Sequence, residues 1–279
     1  MQKRCRKGKS CGATCIDSRE RCILDLGPLI GESTTKAVSM LQQRGSGKGG
    51  NSPAPTIDSL KSEKLREQAE TNVKMTNDRI ENKRKVGDQF FGKDPEGLAR
   101  WNSRFAPLQN LTDAQKAAVG FYGENAKAYY KDVNQFLRTG KKTENPETDS
   151  VVKFTAQNLK EGLARLPAEP KQLERAVSGN FAQQLGNLKV GAVIEDKGFG
   201  SYTDKGSPIL NSFISKTEPN AVLMVESKTA RDVSRMMQYD EGEHLSMPGT
   251  KYRVVDIQPD GFYSRKTGGY VPTYTLEEI

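Results

Sequence analysis

The pattern of hydrophobic and polar positions changes near Pro167. Before it, helix-forming residues dominate, and the pattern predicts helices over 33–43, 57–85, 112–138 (one helix or two) and 151–166. After it, short apolar runs between turn residues predict strands at 173–177, 192–195, 199–203, 221–226, 244–247, 251–258 and 274–277, with short helices at 179–185, 206–212 and 230–237. Helices followed by a run of short strands favour an α+β fold with a mostly antiparallel sheet.

Composition divides the 279 residues into four predicted parts. Residues 1–43 hold all four cysteines, and residues 44–56 (RGSGKGGNSPAPT) have the Gly, Ser and Pro content of a flexible linker. Residues 57–104 form a charged helical arm whose apolar positions are sparse, so that it needs a partner for stability. Residues 105–279 form the packed body.

Charge is concentrated at the start of the chain. The protein has 43 Lys and Arg against 35 Asp and Glu, a net charge of +8, and residues 1–50 alone hold 10 basic and 4 acidic residues, a net +6. A basic tail favours nucleic acid, an acidic protein or an anionic surface as partner, although a merely solvated tail explains it equally well. No array of stacking aromatic residues accompanies these charges, which weakens the nucleic-acid interpretation.

Membrane insertion and classical secretion are not expected from this sequence. It contains no run of about 18 apolar residues, the length that a membrane-spanning helix needs. The basic N-terminus also lacks the apolar stretch of a secretory signal peptide.

The cysteine segment is a second distinct feature. Its spacing, C-x5-C-x3-C-x6-C, differs from common zinc and ferredoxin patterns. Two disulfides, a metal or iron–sulfur site bound by all four thiolates, and four free thiols therefore remain open for Cys5, Cys11, Cys15 and Cys22.

Several catalytic systems are excluded by residue content. The sequence has one histidine, His244, no cysteine after residue 22, and neither a G-x-x-x-x-G-K-[ST] loop nor a G-x-G-x-x-G motif after a strand. A Ser-His-Asp or Cys-His system thus has one available base at most. Catalysis in the body would use carboxylates, hydroxyls, arginine or lysine.

Three short motifs follow one another in the body: KQLERAV around Arg175, Ser201-Tyr202-Thr203 after KGFG, and Glu241-Gly242-Glu243 before HLSMPGTKYRVV. In this order they resemble the mono-ADP-ribosyltransferases of the Arg-Ser-Glu class, which include actin-modifying bacterial toxins. The likeness extends upstream to AYYKDVNQFLR, which matches the family's Y-x3-N-x2-L-R helix, and to LARLP at 163–167. It covers about residues 105–279.

The resemblance implies a mostly antiparallel two-sheet ADP-ribosyltransferase core with NAD as cosubstrate. Breaking the nicotinamide–ribose bond develops positive charge on the ribose, which a nearby carboxylate stabilises. The resemblance gives this role to Glu243, with Ser201 holding Glu243 or the ribose. It has Arg175 pair with the pyrophosphate, for which a planar guanidinium is suited. It makes Glu241 the residue that aligns and deprotonates an acceptor arginine.

The resemblance also implies weaker assignments. It gives Tyr130 and Asn134 to the NAD-binding helix, Phe213 to stacking near the nicotinamide, and Lys216 to phosphate contact. It makes Tyr239 an exposed aromatic residue for substrate recognition; ordinary core and loop roles explain Phe213 and Tyr239 equally well.

The chain departs from the family pattern at two positions. Ala176 follows Arg175 where the family has glycine, and Tyr202 replaces the threonine of Ser-Thr-Ser. Because residues alternate faces along a strand, Tyr202 is expected to point away from the site.

The resemblance therefore implies an arginine-specific mono-ADP-ribosyltransferase, and we expect it to be secreted or borne in a virion, such as that of a phage, and to act inside a host cell. Its N-terminal module would dock the enzyme to a virion or another partner. The alternative is a non-enzymatic structural or docking virion protein that retains the fold.

Overall fold

The computed structural model describes residues 9–11, 14–16, 53–123, 129–239 and 241–279. The chain divides into two compact units, Met1–Ser52 and Pro53–Ile279. In the first, strands β1 (Lys9–Cys11) and β2 (Thr14–Ile16) pair antiparallel. The predicted helix at 33–43 and the side chains of the four cysteines lie outside the described residues, so the cysteine alternatives stay predictions.

Helices dominate the first half of the second unit, as the sequence predicted. The described α-helices are α1 (Glu63–Phe91), α2 (Pro95–Ser103), α3 (Ala106–Gln109), α4 (Asp113–Gly123), α5 (Tyr130–Thr139), α6 (Pro146–Arg165) and α7 (Gly179–Leu185). Short 3-10 helices cover Ile57–Ser59 and Pro208–Phe213. The region predicted as one or two helices is two, and Asn145 caps α6 by accepting from the backbone N–H of Glu147 and Thr148.

The charged helix α1 finds its partner in α4. Leu65, Ala69 and Ile80 of α1 belong to the same hydrophobic core as the aromatic residues of α4 and α6. A Cβ at Gly120 would lie 2.6 Å from the side chain of Asn72, so glycine allows the two helices to cross closely. Residues 57–104 and the residues after them therefore share one core, while the predicted boundary between arm and body stays a prediction.

The second half is an eight-stranded sheet in the order β4-β9-β10-β6-β3-β5-β8-β7. The strands are β3 (Lys171–Ser178), β4 (Val193–Asp196), β5 (Gly200–Asp204), β6 (Asn220–Ser227), β7 (Arg231–Asp232), β8 (His244–Ser246), β9 (Thr250–Ser264) and β10 (Gly269–Glu278). Neighbours are antiparallel except for the parallel pair β6 and β10. The predicted α+β class with a mostly antiparallel sheet is confirmed.

The prediction of two sheets is wrong, because a short junction between β3 and β5 joins all eight strands into one sheet. These strands pair only at Leu173↔Asp204 and Glu174↔Thr203, which joins β4-β9-β10-β6-β3 to β5-β8-β7. Beyond Glu174 the two strands separate, and Arg175 on β3 and Tyr202 and Ser201 on β5 line the opening.

The helix predicted at 230–237 is wrong. Residues 231–232 form strand β7 and a turn follows, because the Asp232 carboxylate accepts hydrogen bonds from the backbone N–H and hydroxyl of Ser234. The N–H of Val233 donates to the carbonyl of Glu243 at 3.0 Å, a distant partner that a helix would exclude. No helix among the described residues is long and apolar enough to cross a membrane.

Candidate active site

A cleft of about 340 Å³ opens where β3 and β5 separate. Most of the residues selected from the sequence line it, namely Arg175, Ser201, Glu241, Glu243, Tyr130, Phe213 and Tyr239. Asn134 and Lys216 are not among its lining residues.

Ser201 and Glu243 form the centre of the cleft. Ser201 Oγ donates a hydrogen bond of 2.6 Å to Glu243 Oε1. Strands β5 and β8 bring them together, since Ser201 pairs with Leu245, two residues after Glu243. Burial raises the pKa of Glu243 to about 7, to which the negative charge of Glu241 contributes, while the bond from Ser201 opposes the shift.

Glu241 is held through its backbone. Its carbonyl accepts a hydrogen bond from the hydroxyl of Thr203, the third residue of the Ser-Tyr-Thr motif. Gly242 then adopts a φ of 59°, the left-handed region that glycine enters most readily, and this turn lets Glu241 and Glu243 line the same cleft. Partial burial raises the pKa of Glu241.

Arg175 is held by a carboxylate that the sequence motifs did not reveal. Its Nη1 lies 3.3 Å from Asp196 Oδ2, at the end of β4. Arg138 of α5 contacts the same carboxylate, with Nη2 at 2.9 Å from Oδ1. Asp196, only 9% exposed, thus balances two guanidinium groups. No motif identifies it, because these partners lie 21 and 58 residues away in sequence.

Aromatic rings complete the surroundings of Arg175. Its guanidinium carbon lies 5.9 Å from the centre of the Phe181 ring and 5.7 Å from that of Tyr202. The prediction that Tyr202 points away from the site is therefore wrong in part: its hydroxyl does bond to buried Tyr252 at 3.1 Å, but its ring also contacts Arg175 and the residue is among those that line the cleft. A ring is large enough to reach both.

Asn134 does not line the cleft, but its side chain makes two hydrogen bonds next to it. Its side-chain oxygen accepts from the N–H of Phe199 at 2.7 Å, and its amide nitrogen donates to the hydroxyl of Tyr122 at 3.0 Å. The residue is buried, so its described contacts fix the approach to β5. The predicted contact of Asn134 with NAD stays a prediction.

Three of the selected residues that line the cleft are aromatic and exposed. Tyr130, Phe213 and Tyr239 are 43%, 55% and 49% exposed, which leaves their ring surfaces open to a ligand. Ala176 also lines the cleft, next to Arg175.

Comparison with known proteins gives this geometry a context. No protein-family model matches the chain. NAD(+)–protein-arginine ADP-ribosyltransferase Tre1 of Pseudomonas putida (strain GB-1) is 25% identical over 189 residues, which are 64% of this chain and 34% of Tre1. The chain thus spans about a third of the length of that curated relative.

Solved structures decide the fold. Vis toxin, an ADP-ribosyltransferase from Vibrio splendidus, aligns with a TM-score of 0.51 at 14% identity, covering 80% of this chain and 91% of Vis. Vis in complex with agmatine aligns with the same TM-score and identity, covering 80% and 90%. The chain has the ADP-ribosyltransferase fold. This confirms the resemblance that the three motifs indicated, and the cleft lies where those motifs meet in the fold.

Proposed function

We propose that the protein is a mono-ADP-ribosyltransferase that moves ADP-ribose from NAD to an arginine side chain of a target protein. The proposal rests above all on the 2.6 Å hydrogen bond between Ser201 and Glu243, in one cleft with Arg175. Each residue has a separate part in the reaction.

Glu243 stabilises the reacting ribose. When the bond between nicotinamide and ribose breaks, the bonding electrons leave with nicotinamide and the ribose C1′ becomes positive. A fixed carboxylate in a partly dry cleft stabilises this charge far better than water would. Ser201 fixes the orientation of that carboxylate in advance, so little reorganisation is needed during the reaction.

Arg175 receives the pyrophosphate. A guanidinium offers two parallel N–H donors to phosphate oxygens. Asp196 keeps this group extended toward the cleft, with Arg138 sharing the same carboxylate. If Arg175 moved from Asp196 to a phosphate group, Arg138 would still neutralise the charge of Asp196.

The acceptor is an arginine. Its guanidinium nitrogen attacks C1′, and the proton that it loses must be taken by a base. Glu241 is a carboxylate at the mouth of the cleft whose raised pKa makes it a better proton acceptor than an exposed glutamate. The name of Tre1 states arginine as its acceptor, and Vis has been solved with agmatine, a guanidino compound, which supports the same acceptor class here.

The setting that we propose is a toxin-like effector released from its producer and acting in another cell. The toxin name of Vis supports this setting. Delivery in a virion, and docking through the basic Cys-rich residues 1–43, remain our proposals from the sequence.

The experiment uses the full chain with labelled NAD, and measures both hydrolysis by water and transfer to agmatine. Glu243→Gln should lower both rates by about 100-fold or more, the scale for removing one electrostatic stabiliser of a transition state. Glu70→Gln, on the exposed side of α1, is the matched control and should retain both rates. Absence of both reactions in the wild-type chain would favour the non-enzymatic docking protein instead.

A further inference from the structure

The one histidine of the chain lies outside the proposed chemistry, in a buried position. His244 begins β8 directly after Glu243, yet its ring is only 2% exposed. Its Nδ1 lies 2.8 Å from the carbonyl oxygen of Gly242. Because a carbonyl only accepts, the neutral ring donates from Nδ1 and leaves a lone pair on Nε2.

Buried Nε2 has no hydrogen-bond partner. It faces two carboxylates, those of Glu169 and Asp232, and one ligand atom from each of the three residues lies within 4.8 Å of the others. Nε2 is 3.7 Å from Glu169 Oε2. Asp232 has partners of its own, whereas the lone pair of Nε2 is a buried acceptor with no donor, and a cation bound between it and the two carboxylates would satisfy it.

A proton on His244 Nε2 does not explain the distance of 3.7 Å between Nε2 and Glu169 Oε2. A protonated Nε2 would draw Glu169, whose side chain is 40% exposed, to the roughly 2.8 Å of a charge-assisted hydrogen bond. Zinc ligands at about 2.1 Å in tetrahedral geometry are instead roughly 3.4 Å apart, close to the distance between His244 Nε2 and Glu169 Oε2; the ligand atom of Asp232 lies within 4.8 Å of these two atoms and would move closer on binding.

We propose that His244, Glu169 and Asp232 bind a zinc ion. A ring nitrogen with two carboxylates suits zinc, and water would complete the coordination at the exposed side of Glu169. The bond from Nδ1 to the Gly242 carbonyl is the kind of outer contact that orients zinc-binding histidines.

Neighbouring charges are compatible with this site. Arg235 pairs with Asp232 Oδ2, and Ser234 donates to Oδ1, but each carboxylate oxygen can accept a further contact. Asp204 lies 3.6 Å from Nδ1, on the other side of the ring, where Lys171 neutralises it.

The zinc ion would join the two ends of the segment 232–244, which contributes residues to the cleft. Asp232 and His244 face each other across β7 and β8, and the segment between them includes Tyr239, Glu241 and Glu243. Glu169 lies just before β3, and its N–H donates to the carbonyl of Ala230, so the ion would also connect this segment to the start of β3. The zinc site is independent of whether the cleft uses NAD.

Calorimetry of the full chain tests the proposal. The thiols are first alkylated with iodoacetamide and metals are removed, so that the four cysteines, all within the first 22 residues, cannot bind the metal. Zinc chloride at neutral pH should then bind with a stoichiometry of about one, and magnesium chloride should not compete. His244→Gln and Glu169→Gln should each weaken zinc binding at least tenfold, on the scale known for disturbed zinc sites.

Glu195→Gln, an exposed carboxylate on β4, is the matched control and should leave zinc affinity unchanged. Glu169→Gln changes a half-exposed side chain and therefore preserves the fold even if His244→Gln does not. The proposal is overturned if the alkylated wild-type chain binds no zinc, or if zinc affinity survives in the Glu169→Gln protein.

Discussion

Replacing Glu243 with glutamine should stabilise the protein while it abolishes the proposed chemistry. Burial raises the pKa of this carboxyl from an ordinary 4.5 to about 7. Ionising Glu243 therefore costs more free energy in the folded protein than in the unfolded chain. Glutamine has nearly the same shape and can still accept the hydrogen bond from Ser201.

The size of the effect follows from the pKa shift. Below pH 4.5 the carboxyl is neutral in both states, and it has no influence on the unfolding equilibrium. Between 4.5 and about 7 only the unfolded chain ionises fully, so stability falls as pH rises; above 7 the loss is complete. Each pKa unit corresponds to about 1.4 kcal/mol, so Glu243→Gln should raise the unfolding free energy by up to about 3 kcal/mol at pH 8.

Urea unfolding followed by tryptophan fluorescence measures this effect. The single tryptophan, Trp101, packs against Phe105 in the core of the second unit and reports on its unfolding. Stability of the variant should exceed that of the wild type at pH 8 and match it near pH 4, while the Glu70→Gln protein follows the wild type at both. An equal gain at both pH values would show that charge burial is not its cause and would refute the reasoning.

Further predictions concern the reaction. Arg175→Lys should raise the KM for NAD about tenfold or more in the hydrolysis assay, because lysine cannot form the planar fork. Glu241→Gln should lower transfer to agmatine by roughly 100-fold while hydrolysis by water persists; equal loss of both would mean that Glu241 builds the NAD site. Hydrolysis should increase with pH and level off above about 7 as Glu243 ionises, and a flat profile would contradict this. Removing residues 1–52 should leave NAD hydrolysis unchanged, since 53–279 is a compact unit.

Helices and strands with a clear local pattern could be predicted from the sequence. The predicted helix at 179–185 coincides with α7, and the region 112–138, predicted as one helix or two, contains α4 and α5. The segment at 230–237 could not be predicted, because its backbone follows Asp232 side-chain bonds and the distant carbonyl of Glu243. Local propensity has no information on such partners.

The site shows the same limit. Ser201 and Glu243 could be selected because each lies in a short motif, and the structure brings them into contact. Asp196 could not be selected, since its importance comes only from Arg138 and Arg175, which meet it in the folded chain. Lys216 fits the family spacing, yet it is not among the residues that line the cleft.

The short pairing between β3 and β5 accounts for both the cleft and its cost in stability. Pairing between the two strands ends at Glu174, and Arg175 and Ser201 line the opening beyond it. Opening the sheet leaves Arg175 in a partly buried position, where an unpaired charge would be strongly destabilising. Asp196 removes that cost by supplying a counter-charge from β4. Glu243 has only a serine hydroxyl as its described side-chain partner, and its raised pKa is the consequence. Asp196 thus neutralises Arg175 before any ligand binds. Glu243 has no such described counter-charge, and a positively charged ribose would supply one.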